Sequence, residues 1–411
     1  MKKRLHSTGA NVFGVFFLLF LMIFSVANLV LHGSSVWEQA CELDWSWEDS
    51  RQNLQDVESI LSEELLLRLP MVDTYGAIQL SLGKHEENSF DTVIDKNGFL
   101  YSGNFWSGFG DDTKELAVRV KHLEALLQEK GTQLGVILFP MNLAPDDAKY
   151  LGIPYNDFSA IADSYLAWLH YFSIPVLDLR ENWSRTGLTQ EEAFFKTDHH
   201  WTPLAAFHGY SEILHWMEDT FQIPIEAIDS LTNLDNYNQT CYENVFLGSF
   251  GRETGMIFAG GVESYTVIYP KSEGSYLLKT GELDDYETYS GTFSEALLNT
   301  SYHINSYDDY FKGRVEATYL RNAVSDYASV VNTQQETAPK ILLLRDSYAT
   351  PIGAFLSQSF SQVDLLWSLS YTEEEMTAFL EENQYDYVFL ALYPENLNST
   401  SFPFGSGEGA E

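Results

Sequence analysis

Short, uninterrupted apolar runs alternate with amphipathic segments along most of this chain, and that alternation limits the folds available to it. A continuous apolar run indicates a strand buried on both faces, which is typical of parallel sheets covered by helices. Helical segments between such strands are the usual crossover connections of a parallel sheet. The sequence therefore predicts an α/β fold with a mainly parallel sheet. The predicted strands are 134–139, 174–177, 341–344 and 387–392, and the predicted helices are 113–130, 158–171, 202–221 and 373–382.

Two segments depart from this alternation. Asn97-Gly98 lies between short strand-like runs, and this pair favours the positive φ angles of a tight hairpin turn. Residues 223–339 are rich in Gly, Tyr, Ser, Asn and Asp, with short strand-like runs such as 265–269. We interpret 223–339 as an irregular, β-containing insertion in the α/β domain.

The N-terminus has the pattern of a membrane anchor. Basic residues at positions 2–4 precede an uncharged apolar run over 12–31, and a helix of about 20 such residues spans a bilayer. The positive-inside rule keeps the basic end in the cytoplasm and places the bulk of the chain outside. A cleaved signal peptide is the alternative, with Ser25-Val26-Ala27 as its candidate cleavage site. The predicted divisions are a cytoplasmic tail (1–11), a transmembrane helix (12–31), a stalk or lead-in helix (34–89), a main α/β domain (90–396) and a disordered tail (405–411).

Acidic residues outnumber basic ones by a wide margin. The chain has 59 Asp and Glu against 23 Lys and Arg, a formal net charge of −36. Binding a phosphate backbone needs clustered cations, so the composition argues against nucleic acid as a partner. The two cysteines, Cys41 and Cys241, are too far apart to form a metal-ligand pattern or to predict a disulfide from spacing.

Two short motifs supply the parts of an acyl-transfer site. Asp-His-His-Trp at 198–201 comes just before a predicted helix, and Arg-Asp-Ser-Tyr at 345–348 directly follows a predicted strand. A serine hydroxyl becomes a good nucleophile only with a base within hydrogen-bond reach. We predict that Ser347 attacks an ester carbonyl, His200 takes its proton and Asp198 orients the imidazole.

Further groups near these motifs have predicted roles. Asn142 follows the predicted strand 134–139, and ligands of open α/β sheets lie beyond the carboxyl ends of strands. Its side chain and the backbone N–H groups after Ser347 are the predicted donors to the oxyanion. Two alternatives for these motifs are a helix cap formed by Asp-Ser and a metal site formed by 198–200 with His208 or His215 on the next helix. Adjacent histidines rarely bind one ion, and no His-Glu-x-x-His spacing occurs, so we predict neither metal nor cofactor.

In this order, the motifs resemble the signature of the bacterial DHHW protein family, which is related to the SGNH hydrolase-like acetyltransferases of alginate O-acetylation. The latter have Asp-x-His-Trp where this chain has 198–201, and Gly/Lys-Asp-Ser-Phe where it has 345–348. Arg345 replaces the glycine of the SGNH esterases, and a cation there is expected to change the oxyanion geometry or to bind an anionic substrate group. The weaker matches that keep the family's order are 95–101, 248–255, 308–313 and 385–390.

The resemblance spans about 91–396 and implies a three-layer α/β/α sandwich of SGNH type. It implies that Asp198, His200 and Ser347 form a catalytic triad, with Trp201 shaping the site and His199 at a variable position. Members of such families sit outside the membrane on an N-terminal anchor. They act with a multipass membrane acyltransferase that delivers the acyl group.

Residues and resemblance together predict a membrane-anchored, extracytoplasmic O-acyltransferase of the bacterial cell membrane. It is expected to move acetyl onto a secreted or cell-wall polysaccharide through an acetyl-Ser347 ester. The same site is also compatible with a carbohydrate acetylesterase, because transfer and hydrolysis differ only in the acceptor. Two further hypotheses are D-alanyl transfer to teichoic acid and a non-catalytic glycan-binding or scaffold protein of a polysaccharide-modification complex.

Overall fold

The computed structural model describes residues 2–43, 50–87, 91–103, 112–142, 158–180, 185–321, 325–368, 370–397 and 402. The predicted tail 405–411 lies outside them. Internal packing divides the chain into two units, Met1–Ile78 and Gln79–Glu411. The predicted anchor belongs to the first unit, and both predicted site motifs belong to the second.

The first unit is helical. It contains α1 (Lys2–Glu42), α2 (Ser50–Glu63) and most of α3 (Arg68–Ser81). Within α1, Val12–Cys41 is long and apolar enough to cross a membrane, and none of its most apolar window is buried within the protein. The helix therefore extends beyond both ends of the predicted span 12–31.

The described part of the second unit contains one large sheet and two small ones. Its strands, in chain order, are β1 (Glu86–Glu87), β2 (Thr92–Ile94), β3 (Leu100–Ser102), β4 (Gln133–Leu138), β5 (Val176–Asp178), β6 (Tyr237–Phe246), β7 (Glu263–Pro270), β8 (Tyr276–Gly281), β9 (Tyr286–Gly291), β10 (Tyr327–Asn332), β11 (Lys340–Arg345), β12 (Gln362–Trp367) and β13 (Tyr387–Leu392).

The large sheet has the order β5-β4-β13-β11-β12-β10-β8-β9. The first five strands in this order run parallel, and the last three are joined antiparallel. The parallel strands β4, β11 and β13 are buried almost throughout, as the continuous apolar runs predicted. The predicted α/β fold with a mainly parallel sheet is therefore confirmed.

Helices cover both faces of this sheet. Alternate residues of β11 point to opposite layers: Ile341 and Leu343 enter one apolar cluster, and Leu342 and Leu344 enter the other. The result is a three-layer α/β/α sandwich, also as predicted. The α-helices in the described part of the second unit are α4 (Thr113–Glu129), α5 (Phe158–Tyr171), α6 (Gln190–Ala193), α7 (Pro203–Phe221), α8 (Ile228–Leu231), α9 (Ser249–Thr254), α10 (Asp309–Lys312), α11 (Ala349–Leu356) and α12 (Glu373–Glu382).

The segment 223–339 contributes to the large sheet as well as to separate structure. Its strands β8, β9 and β10 extend the sheet beyond β12, whereas β6 and β7 form a separate two-stranded sheet among the described residues. Alternating burial along β8 differs from the nearly full burial of β4, β11 and β13, because antiparallel strands can keep one face near solvent. The segment also contains α9, which lies at the predicted site.

The predicted Asn-Gly hairpin is present and packs beside the main sheet. Strands β2 and β3 pair antiparallel, and Gly98 in the turn has a φ of +85°. The carboxylate of Asp95 accepts hydrogen bonds from the backbone N–H groups of Asn97 and Phe99, which closes the turn. The backbone N–H of Leu100 then donates to the carbonyl of Lys196, two residues before Asp198.

Candidate active site

Ser347 lies beyond the carboxyl end of a central strand. Strand β11 ends at Arg345, the chain turns through Asp346 and Ser347, and α11 begins at Ala349. The buried carboxylate of Asp346 accepts hydrogen bonds from the backbone N–H groups of Tyr348 at 3.1 Å and Tyr393 at 2.5 Å. These bonds hold the turn to the end of β13, so the serine is presented by a rigid segment.

His200 approaches the same point from another segment. It lies just before α7, whose first turn is capped by the side chain of Thr202 and begins with a proline. The Nε2 atom of His200 lies 2.6 Å from Oγ of Ser347. Its Nδ1 atom lies 2.5 Å from Oδ1 of Asp198, which also accepts the backbone N–H of His200 at 2.9 Å. A continuous hydrogen-bonded chain therefore joins Asp198, His200 and Ser347.

Burial and neighbouring charges set the protonation states of Asp198 and His200. Burial opposes the ionised form of Asp198, whose side chain is 1% exposed, but the neighbouring histidines and its hydrogen bonds lower the pKa of this carboxyl well below its usual range. Burial opposes the charged form of His200 as well. The Asp198 carboxylate outweighs that effect and raises the pKa of His200 above its ordinary value of 6.5. The arrangement favours a base that takes up a proton readily while its partner stays ionised.

The second oxygen of Asp198 is held by α9. The backbone N–H of Ser249 donates to Oδ2 of Asp198 at 2.7 Å. This approach requires glycine at position 248, because an added Cβ would lie 2.3 Å from Cβ of Asp198 and 2.4 Å from the carbonyl oxygen of Thr197. The side chain of Thr197 in turn accepts the backbone N–H of Gly248 at 2.9 Å.

A partly buried carboxyl group supports the segment leading into Asp198. Glu263, at the start of β7, accepts hydrogen bonds from the backbone N–H groups of Lys196 and Thr197 and from the Thr197 hydroxyl. Burial raises the pKa of Glu263. Both β7 and α9 belong to the segment 223–339, so this segment helps to form the site.

Two hydrogen bonds join the segment that contains His200 to the segment that contains Ser347. The hydroxyl of Tyr348 donates to the carbonyl of His199, and Nε1 of Trp201 donates to the carbonyl of Tyr348 at 3.2 Å. Tyr348 also stacks on Tyr393 with ring centroids 4.4 Å apart. Gly209 on α7 leaves room for Trp201, since an added Cβ would lie 2.7 Å from its ring. Trp201 is therefore buried, and its indole N–H links the segment that contains His200 to the segment that contains Ser347.

Asn142 and Arg345 make contacts with the scaffold. The amide of Asn142 donates to the carbonyl of Leu100 at 3.2 Å. The guanidinium of Arg345 donates to the carbonyl of Ser325 at 2.7 Å and lies over the ring of Trp367. Arg345 is 1% exposed, and burial lowers its pKa to about 10. Among the described residues, no hydrogen bond joins either side chain to Ser347.

His199 lies beside His200 with a more exposed ring. Its ring centroid is 4.0 Å from that of His200, and its Nδ1 atom is 3.2 Å from Oγ of Ser249. Burial and the charge of His200 lower the pKa of His199 to about 3, so its imidazole is neutral near pH 7. Potential metal-ligand atoms of 198–200 lie within 4.8 Å of one another. Both ring nitrogens of His200 already face hydrogen-bond partners, which fits proton transfer better than metal binding.

Several supporting groups were not identified from sequence. Ser249 falls in the weaker motif 248–255, so that motif was the available signal for it. Glu263 lies just before the strand-like run 265–269, and nothing in the sequence distinguishes it from the many acidic residues elsewhere in the chain. Tyr348 belongs to the predicted serine motif, but its hydroxyl bond to the preceding motif depends on how the two segments fold together.

A family model and several solved structures resemble this chain. Residues 110–229 match the model described as SGNH hydrolase-like domain, acetyltransferase AlgX. This match covers the Asp-His-His-Trp motif, and the Ser347 motif lies outside it. No curated protein matches the chain.

Among solved structures, Bacillus cereus PatB1 shares 20% identity with this chain at a TM-score of 0.60, covering 76% of this chain and 99% of PatB1. A second PatB1 structure, with a sulfonyl adduct, gives 19% identity and a TM-score of 0.57, covering 76% of this chain and 97% of that one. A DHHW family protein from Eubacterium siraeum shares 14% identity at a TM-score of 0.52, covering 78% of this chain and 93% of the other. The SGNH hydrolase-like fold and the resemblance to DHHW proteins and to an acetyltransferase family, both predicted from the motifs, are confirmed.

Proposed function

We propose that the protein is an extracytoplasmic O-acyltransferase that accepts an acetyl group on Ser347 and passes it to a hydroxyl of a secreted or cell-wall polysaccharide. The observation that carries this proposal is the hydrogen-bonded chain from Asp198 through His200 to Ser347. The acetyltransferase description of the family model supports the choice of acyl group.

In the first half of the reaction, Ser347 becomes acetylated. Its Oγ attacks the carbonyl carbon of the acetyl donor while Nε2 of His200 takes the hydroxyl proton. Asp198 stabilises the imidazolium that forms, since its buried carboxylate stays ionised. Collapse of the tetrahedral intermediate breaks the bond to the leaving group, which takes the proton from His200.

In the second half, a sugar hydroxyl accepts the acetyl group. His200 removes the proton of that hydroxyl as its oxygen attacks the ester carbonyl. The bond to Oγ of Ser347 then breaks, and the serine regains its proton from His200. If water takes the place of the sugar, the same steps make the protein a carbohydrate acetylesterase.

The backbone N–H of Ser347 is the donor that we assign to the oxyanion. The N–H of Tyr348, the first one after the serine, already donates to the Asp346 side chain, and that of Ala349 donates to the Asp346 carbonyl. The N–H of Ser347 makes no hydrogen bond to another group in the described ranges. A donor left unpaired beside the nucleophile suits a charge that develops only during reaction. Asn142 and Arg345 then act by holding the walls of the site.

The proposal also includes the place of the enzyme in the cell. Helix α1 would anchor the chain in the bacterial cell membrane, leaving the second unit outside the cytoplasm. Acetyl donors such as acetyl-coenzyme A are cytoplasmic, so the acetyl group must cross the membrane before it reaches Ser347. A multipass membrane acyltransferase is the partner that we propose for this delivery.

The test uses the full chain in detergent with p-nitrophenyl acetate. We expect a burst of nitrophenolate and an added acetyl mass on the protein, both lost in Ser347→Ala. A sulfonyl fluoride should likewise modify the wild type and spare the variant. Ser272→Ala, which changes an exposed serine between β7 and β8, is the control and should behave as wild type.

Acceptor addition separates transfer from hydrolysis. Acetyl-Ser347 should decay faster when a polysaccharide with free hydroxyls is added, and the polysaccharide should gain acetyl esters. Decay at one rate with and without the acceptor would support the esterase. Identical behaviour of wild type and Ser347→Ala, with both proteins folded, would contradict catalysis at this serine.

A further inference from the structure

The turn between α2 and α3 lies against the apolar helix α1. The backbone N–H of Leu66 donates to Oδ1 of Asn28 at 2.7 Å. Just before the turn, the carboxylate of Glu64 is 3.0 Å from Nε2 of Gln39 and 3.4 Å from Nδ1 of His32. Helix α2 therefore runs back along the outer part of α1 and brings Leu65, Leu66 and Leu67 to the level of Asn28.

The position of Asn28 sets the depth of this turn. A helix of about 20 residues crosses the hydrocarbon of a bilayer. Asn28 lies inside the span 12–31, about 4.5 Å from its outer end at 1.5 Å per residue. With 12–31 as the membrane span, the hydrogen bond to Asn28 holds the backbone of Leu66 at the same depth, at the outer boundary of the hydrocarbon.

Two of the three leucine side chains of this turn are exposed within the protein, and that of Leu66 is partly buried. Leu65 is 37% exposed and Leu67 is 57% exposed, and Leu61 and Met71 on the adjoining helices are exposed as well. Leu67 has a φ of 62°, a left-handed conformation that is unfavourable for a residue with a Cβ atom. Glu64 precedes the leucines and Arg68 follows them, so polar groups bracket an apolar tip.

We propose that Leu65, Leu66 and Leu67, the leucine turn, insert among lipid acyl chains at the outer surface of the membrane. This inference rests on the anchor proposed above. Exposed leucines flanked by charged residues are suited to the boundary between headgroups and hydrocarbon. The hydrogen bond to Asn28 favours lipid as the occupant, because it fixes the turn to a helix that lipid surrounds. The leucine turn is then a second contact with the bilayer, which holds the base of α2 and α3 at the membrane surface.

The experiment measures the depth of single labels in lipid. In the full chain with Cys41→Ser and Cys241→Ser, one cysteine is introduced as Leu67→Cys, Leu54→Cys or Phe20→Cys and labelled with an environment-sensitive fluorophore. The protein is reconstituted alone into phosphatidylcholine vesicles whose acyl chains are brominated near the glycerol end or near the methyl end. Leu65→Cys is a second probe of the turn, at a position without the positive φ.

We expect the labels at 65 and 67 to lose fluorescence most strongly with bromine near the glycerol end. The label at 20 should respond most to bromine near the methyl end. The label at 54 lies on α2, where the leucine it replaces is more exposed than Leu65 or Leu67, and it should respond to neither lipid. If the label at 20 responds and those at 65 and 67 match the one at 54, the leucine turn lies in water and the inference is wrong. A membrane protein partner, and not lipid, would then be the group that covers the leucines. If the label at 20 responds to neither lipid, the proposed anchor fails and the inference fails with it, whereas the acetylation assay of Ser347 tests the catalytic proposal separately.

Discussion

At the scale of single residues, His200 is the group whose environment controls the proposed reaction. It contacts Asp198 on one side and Ser347 on the other. The charges of Asp198, Glu316 and Asp346 all favour its protonated form and together outweigh burial. A base with a raised pKa is a stronger proton acceptor, but it must be unprotonated before the serine can attack.

The first prediction concerns the pH dependence of Ser347 acetylation. Since the pKa of His200 is raised above 6.5, the imidazole is protonated at low pH and the rate should increase as pH rises through that pKa. In Asp198→Asn the main charge that raises this pKa is lost, so the rise should move to lower pH while the maximal rate falls by on the order of 10⁴-fold. Single-turnover acetylation by p-nitrophenyl acetate across pH measures both effects.

His199→Gln is the matched control for this prediction. With a pKa of about 3, His199 is neutral across the range in which His200 titrates, so its loss should leave the midpoint in place. A midpoint that shifts with His199→Gln and stays fixed with Asp198→Asn would contradict the assignment of the base.

The second prediction concerns the Tyr348 hydroxyl, where the resembling families have phenylalanine. Tyr348→Phe removes the bond to the His199 carbonyl together with the hydroxyl's contact with Tyr393, and it keeps the ring stacking on Tyr393. One hydrogen bond contributes about 1 kcal/mol, so the single-turnover rate should fall by roughly fivefold if the bond aligns the two segments. Tyr165→Phe is the control, because that buried hydroxyl has no hydrogen-bond partner in the described part of the chain. Equal rates for wild type and Tyr348→Phe would show that the bond does not position the site.

At the scale of elements, the site depends on a short helix that contains none of the three predicted triad residues. Helix α9 presents the Ser249 N–H to Asp198, and Gly248 permits the approach. Arg252, on the same helix, pairs with Glu316 at 2.7 Å and donates to the Leu247 carbonyl at 2.8 Å. This explains physically why the weaker motif 248–255 accompanies the two stronger ones.

The third prediction tests this helix. In Gly248→Ala the added methyl group must displace either Asp198 or the backbone of Thr197. A displacement of about 1 Å in a catalytic group costs on the order of 100-fold in rate, so acetylation of Ser347 should fall by that amount. Ser249→Ala, one residue away, keeps the backbone N–H that contacts Asp198 and should react nearly as wild type. If both variants react alike, α9 does not position Asp198.

At the scale of the whole molecule, the proposed anchor and the proposed catalytic site belong to different units of the chain. All three predicted triad residues, and the groups that support them, lie within Gln79–Glu411. The candidate membrane helix lies within Met1–Ile78. Because the first unit contains none of the three triad residues, membrane attachment and ester chemistry should be separable.

The fourth prediction follows from that separation. A chain without residues 1–33, exported by a cleavable signal, should be found in the soluble fraction and should acetylate Ser347 at the wild-type rate. Transfer to polysaccharide in cells should be lost, because the proposed membrane donor is no longer held beside the site. Fractionation, intact mass and acetyl-ester content measure the three outcomes. Undiminished transfer in cells by the released protein would contradict a membrane-bound donor.

The sequence by itself determined the central architecture, because it is encoded locally. Continuous apolar runs such as 341–344 require burial on both faces, and helices between them leave a parallel sheet as the solution. The order of the motifs also predicted the family resemblance and the residues of the proposed triad. Likewise, the length and charge of the N-terminal segment predicted a membrane-spanning helix, and α1 is long and apolar enough to be one.

Tertiary structure alone decided which groups surround those residues. Contacts between Asp198 and Ser249, between Thr197 and Glu263, and between Tyr348 and His199 join segments far apart in sequence, and such pairings leave no periodic pattern. The same holds for Arg345, whose burial over Trp367 follows from the neighbouring strand β12. It holds also for β8, β9 and β10, whose pairing extends a sheet that their local sequence does not specify. Local sequence sets which residues must be buried, and the packing of distant segments sets what each buried polar group contacts.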